Sequence, residues 1–427
     1  MERLMQFVWE HRLGLRADMR TCDGRRLRVI DQGRLNSDSG PDFFNASVQI
    51  DDQMWAGNVE LHVRASDWLR HGHQNDRAYD SVILHVVLVD DTQIRRPDGS
   101  VIPQVTIRCT PEAATRCNAL VGAAARQLPC AATVSRLHSI YITDWITALA
   151  MERLYRKSDA VLAYVRENGG HWEGAAYVTL ARALGFGLNS EPFEVLAKNV
   201  PLGILYKHRD ELTAVEAILF GQAGLIPEPA AGEDPYLTAL RREYRFLRDK
   251  FRLQPLPLQW KMSKTRPQNF PHRRLAMLCE LIHREFKLMG RLSEARTLDE
   301  IRELLDVSLQ GFWVNRYTFS DRSSGNTSRA IGRKSVDILV INAAVPLLHA
   351  RAVQRGDLDA MERCVELLQK LPPEENSVVR LFAGAGIKAA DAFTTQALVQ
   401  LRREYCEKRK CIYCRFGHRM LSAEIQS

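Results

Sequence analysis

The chain has 427 residues, of which 45% are hydrophobic and 26% charged. That balance excludes wholesale disorder and collagen-like or coiled-coil fibres, and the length allows roughly two to four domains. The formal charge of +8 is concentrated: residues 1–110 hold 14 basic and 16 acidic side chains, whereas residues 241–274 hold 11 basic and 2 acidic ones.

A local basic stretch attracts polyanions by steering and counterion release, although a solvated helix and loop would carry the same composition. No uninterrupted run of about 18 apolar residues occurs, so no membrane-spanning helix is expected. Glu2, Arg3, Glu10, His11 and Arg12 stand where a secretory signal would be apolar, and a cytoplasmic location is the expectation.

In chain order, Leu4–Leu13 reads as a short amphipathic helix. Leu27–Asp31 reads as a strand bounded by Asp23-Gly24 and Gly33. Ala46–Ile50 and Met54–Val63 flank a polar turn at Asp51-Asp52-Gln53, which predicts a hairpin. Val82–Val89 is apolar on both faces, as a central strand is. Asp98-Gly99 marks a turn before a last short strand at Val105–Arg108.

Beyond Ala113 the pattern becomes helical, with helices expected at Ile142–Val165, after Asn189-Ser190-Glu191-Pro192, and at Arg273–Leu288, Asp299–Leu309, Asp337–Ala350 and Ala389–Glu404. The expected fold is α+β: a mixed α/β module with a small sheet over 1–110, then a large, mostly α-helical region over 111–388. That region carries a basic, proline-rich loop near 253–274, and 389–427 forms a C-terminal helix with a cysteine cluster.

Polar side chains are dense around the first hairpin. Asp42 follows Gly40-Pro41, and Glu60 and His62, two apart on one strand, point to the same face. A Glu and a His on one face can be a solvated pair or half of a site. Pro41-Asp42, a hairpin and Glu60-Leu61-His62 resemble the core of the PD-(D/E)XK restriction-endonuclease-like superfamily over about residues 27–89.

The resemblance implies that Asp42 and Glu60 hold Mg²⁺ or Mn²⁺ for phosphodiester hydrolysis, with His62 in the place of the usual Lys. GPDF, GNVELH, the spacing of Asp67-Trp68 to His71 and His73, RPQNFP, NRYTF and the terminal cysteines together resemble a bacterial domain family of unknown function found mainly in Bacteroidetes. This second resemblance implies no activity. His71, His73 and Asp76 form a possible additional metal or phosphate site or a plain polar loop, and His85, inside an apolar strand, reads as a core histidine.

Of nine cysteines, Cys406, Cys411 and Cys414 cluster at the end, and His418 follows. Three thiols and an imidazole suit tetrahedral Zn²⁺. An iron–sulfur cluster is the alternative, with Cys22 as a distant ligand implied by the superfamily resemblance.

Lys261, Lys264, Arg266, Arg273 and Arg274, interleaved with Trp260 and Phe270, are candidate nucleic-acid contacts, or else anchor a loop between helices. The Ser/Gly-rich stretch after Asn315, Arg316, Tyr317 and Phe319 reads as a flexible loop. The expected function is a metal-dependent nuclease or nuclease-like protein. The alternatives are a non-catalytic nucleic-acid-binding or scaffold protein and a metallohydrolase of another substrate.

Overall fold

The computed structural model describes the chain except residues 11, 13–18, 37–38, 108–114, 116–127, 255, 264–265, 285, 321–328 and 426–427. Lys264, Arg108, Cys109, Cys117 and most of the Ser/Gly-rich loop therefore lie outside the described residues. The chain divides into two units. The first comprises residues 1–145, 380–388 and 399–427; the second comprises 146–379 and 389–398. Of the C-terminal segment, residues 399–427 group with the N-terminal module, whose core includes buried Ile412, and residues 389–398 group with the second unit.

The first unit opens with helix α1 (Glu2–Glu10), whose Leu4, Met5, Phe7, Val8 and Trp9 are buried. Strands β1 (Leu27–Asp31), β2 (Arg34–Leu35), β3 (Phe43–Ile50), β4 (Gln53–Arg64), β5 (Val82–Val89) and β6 (Gln104–Thr106) form one sheet of order β1-β3-β4-β5-β6, with β2 beside β3. β1/β3 and β3/β4 are antiparallel, while β4/β5 and β5/β6 are parallel.

A parallel pair needs a crossover. Here it is short: helix α2 (Asp67–Arg70) and two single 3₁₀ turns at His73–Asn75 and Arg77–Tyr79. β5 is paired on both edges and buried over most of its length, which explains its continuous apolar run. Asn45, at φ 57°, makes a bulge between the Phe43–Val59 and Ala46–Gly57 pairs, and its N–H donates to Asn58 Oδ1.

The second unit is helical. The helix Ser139–Glu167 runs into it from the first, and Trp172–Leu184, Leu212–Gln222, Pro235–Phe251, Pro271–His283 and Leu358–Lys370 follow. The helix expected over Asp299–Leu309 stops at Leu305, because Val307 and Leu309 exchange backbone hydrogen bonds with Ile331 and Arg329 around an isolated β-bridge.

Residues 333–355 form a single helical rod with a π-helical turn at Val340–Ala344. It is the one helix among the described residues long and apolar enough to cross a membrane. Asp337, Asn342 and His349 break its apolar run in the sequence. Of its most apolar stretch 72% is buried inside the protein, as in a core helix.

Candidate functional site

The site grows from the pairing of β3 with β4. Gly40, at φ 105°, lets the chain turn sharply before Pro41, and Asn36 ties the turn down through its backbone N–H to the Asp42 carbonyl (2.7 Å). Asp42 thereby enters β3 one residue before the Phe43–Val59 pair, alongside Glu60. Its backbone N–H donates to Glu60 Oε2 (2.9 Å), its Oδ2 accepts from Leu61 N–H (3.0 Å), and its Oδ1 accepts from Gln6 Nε2 of α1 (2.7 Å).

These bonds bring Asp42 and Glu60 side by side on adjacent strands. Both resist ionisation. Burial raises Asp42 to about 6. Burial and then the charge of Asp42 raise Glu60 to about 9. Near neutral pH the pair keeps a proton.

Glu60 Oε1 faces the other way, towards imidazoles. It lies 3.6 Å from His62 Nε2 and 3.5 Å from His73 Nε2. His62 and Glu60 share a face of β4, and the crossover brings His71 and His73 over that face. His62 Nε2 is 3.1 Å from His71 Nδ1, and His62 Nδ1 is 2.9 Å from His85 Nε2, contributed by the parallel neighbour β5. Trp68 closes the back, edge-on to His62, His73 and His85, and Tyr79 stacks on His73.

Burial, reinforced by the neighbouring imidazoles, lowers His62 to about 2. Burial lowers His85 to about 3 and also brings His73 down. These rings are neutral, the state in which imidazole binds metal. His62, His71 and His73 each offer a nitrogen within 4.8 Å of the others. His73 Nε2 is buried and has no hydrogen-bond partner, so the residues fit a cation: a buried ring nitrogen 3.5 Å from a carboxylate oxygen.

Residues 2–377 match the model of a protein family of unknown function, DUF2851. The chain belongs to that family. No curated protein and no solved structure matches it.

Elsewhere in this DUF2851 chain the expected residues fare unevenly. Asp76 is exposed and spends Oδ1 capping the Arg77–Tyr79 turn through Ala78 N–H (2.9 Å), so it stands outside the imidazole group. His85 is a core histidine, as expected, but its bond to His62 also makes it part of the site. The sequence hint was its place on the strand beside Glu60, which only the parallel register reveals.

The basic segment does not form one surface. Arg273 is 0% exposed and donates to the Trp313 and Arg316 carbonyls (3.0 and 2.7 Å). Arg274 is also buried, with its guanidinium over the Phe186 ring and bonded to Asn269. These two hold the helical unit together and cannot reach a phosphate where they stand. Lys261 and Arg266 are exposed. Trp260 anchors the loop, its indole N–H donating to the Ala223 carbonyl (2.8 Å) and its ring meeting Phe193 edge-on.

At the C-terminus, Cys406, Cys411 and Cys414 take part in no disulfide. His418 packs its ring edge-on against Phe7. Burial and then Asp90 raise the Cys22 thiol to about 12, and no thiol among the described residues contributes.

Proposed function

We propose that this chain is a metal-dependent hydrolase of phosphodiester bonds, with its cation held at Glu60 Oε1 by the histidines around it. The observation that carries the reading is the position of Glu60. One of its oxygens is fixed by the Asp42 backbone, and the other faces His62 Nε2 and His73 Nε2 at 3.6 and 3.5 Å.

Topology supports the same reading. Asp42 at the start of β3 and Glu60-Leu61-His62 on β4 stand on adjacent, antiparallel strands, which is the arrangement that the PD-(D/E)XK resemblance implies. The fit departs from that arrangement at His62. Both its nitrogens have ring partners and it stays neutral, so it serves as ligand or positioning residue and not as a cationic stand-in for Lys.

A bound divalent cation would lower the pKa of its water and offset charge on the phosphate. Imidazole beside carboxylate suits Mn²⁺ or Zn²⁺ better than Mg²⁺. Asp42 and Gln6 fix Glu60 in place through the bonds given above. When Nε2 of His62 is a ligand, its Nδ1–H donates to His85 Nε2, which sets the ring's orientation. With His62 and His73, the two rings at Glu60 Oε1, as the ligands, His71, the exposed imidazole of the group, would receive the proton of the attacking water. The water oxygen bonds to phosphorus as the alkoxide leaves.

The test is cleavage of single- and double-stranded DNA and RNA with Mn²⁺, Zn²⁺ or Mg²⁺. Metal-dependent cleavage by the wild type, lost in Glu60→Gln and Asp42→Asn, is expected. Cleavage unaffected by either substitution refutes the assignment. The imidazole donors also favour a second reading, a metallohydrolase of a different substrate, for which nucleic acid would neither be cut nor compete.

A further inference from the structure

We propose that Cys130, Cys406, Cys411 and Cys414 form a four-thiolate metal site in the first unit, with Cys130 and not His418 as the fourth ligand. Three structural features bring these residues together. A π-helical turn at Leu401–Cys406 presents Cys406, and the chain reverses through Arg409, at φ 55°, with Lys410 N–H donating to the Tyr405 carbonyl (2.8 Å). Cys411 opens a 3₁₀ turn that ends at Cys414, whose N–H donates to the Cys411 carbonyl (3.2 Å). Cys130 precedes the short helix α3 (Ala131–Val134), which packs against the helix that follows Cys414, and Cys130 and Cys411 lie against the same hydrophobic core.

The thiols lie within electrostatic reach of one another. Ionised Cys414 and Cys411 would act on Cys130, and all three would act on Cys406. None of the four is paired in a disulfide.

The surroundings are built for a thiolate. Backbone N–H groups of Phe416 and Gly417 donate to the Cys414 sulfur. That approach requires glycine, because a Cβ at Gly417 would stand 2.0 Å from the Cys411 carbonyl oxygen. Trp145, 7% exposed, lies beside the same sulfur, and its indole N–H has no other partner. Without a metal, burial and then the neighbouring thiolates raise Cys130 to about 12 and raise Cys406 as well, and burial raises Cys414. A thiophilic cation removes that opposition by replacing the protons.

The four-thiolate set takes either one zinc ion or an iron–sulfur cluster. No three of the sulfurs, among the described residues, stand within 4.8 Å of one another, so a zinc ion would have to draw them in. Such a site would staple α3 and the C-terminal turn to the core that α1 shares with Ile412, and α1 carries Gln6 to Asp42.

The experiment is elemental analysis with acid-labile sulfide and an ultraviolet–visible spectrum on full-length protein purified anaerobically. The variants are Cys130→Ser, Cys22→Ser and His418→Ala. About one zinc per chain, or iron with matching sulfide and visible absorption, lost by more than 80% in Cys130→Ser and retained in the other two, is expected. Metal-free wild type overturns the proposal, and so does metal that survives Cys130→Ser but is lost in His418→Ala.

If Cys130→Ser does not accumulate as folded protein, X-ray absorption at the metal edge of Glu60→Gln, which lacks the imidazole–carboxylate cation site, decides. A first shell of sulfur alone supports the site, and a nitrogen in that shell refutes it.

Discussion

Glu60→Gln separates an electrostatic role for this residue from a merely structural one. Glutamine keeps the shape and can still accept the Asp42 N–H, but it carries no titrating proton. In the metal-free wild type the Glu60 carboxyl is raised from 4.5 to about 9 by burial and by Asp42. The folded state therefore holds a proton that the unfolded chain releases above its own value near 4.5. Folding stability then falls as pH rises between those limits, by about 1.4 kcal/mol per pH unit for one proton.

From pH 5 to pH 8 the wild type should lose about 4 kcal/mol by this route, and Glu60→Gln should not. Urea unfolding of both proteins in chelator, at several pH values, measures the difference. The variant should match the wild type near pH 5 and exceed it progressively towards pH 8. A variant less stable than the wild type by a constant amount at every pH would refute the strained carboxyl pair and leave only a lost hydrogen bond.

Three other outcomes follow from the same geometry. Because a cation at Glu60 must displace the pair's proton, Mn²⁺ affinity measured by calorimetry should rise about tenfold per pH unit from pH 7 to 9, and a flat profile would contradict this. His85 stays neutral when folded, so below pH 6.5 the unfolded chain gains a proton the native one refuses, and stability falls with acidification. His85→Leu should flatten the wild-type decline between pH 6.5 and 5 by about 1.4 kcal/mol per pH unit, read from urea midpoints. Arg273→Ala should cost about 3 kcal/mol by leaving two buried carbonyls without their charged donor, and should not change nucleic-acid retention on a filter.

The strand pattern was legible because alternation and turn chemistry are local. Leu27–Asp31 and Val82–Val89 read in the sequence as they stand in the fold, and Asp51 at φ 51° makes the hairpin turn its neighbours announce. The meeting of Asp42 with Glu60 was legible for the same reason, since a tight hairpin fixes their register. Three things were not. The contact of His85 with His62 depends on parallel pairing across a crossover, which periodicity does not encode. The nearness of Cys130 to the terminal cysteines spans more of the chain than any spacing rule covers. The burial of Arg273 and Arg274 ran against their charge, because the carbonyls and the ring that receive them lie far away in sequence.

Electron spin-echo spectroscopy of Mn²⁺ added to the purified protein tests the central claim most directly. Mn²⁺ prefers oxygen and nitrogen donors to thiols, so it reports on Glu60 and the histidines without occupying the cysteine cluster. One tightly bound Mn²⁺ per chain, with modulation from coordinated imidazole nitrogen that weakens in His73→Ala and binding that is lost in Glu60→Gln, is the predicted result. No tight binding, or a bound ion with oxygen ligands alone that ignores both substitutions, would contradict the account.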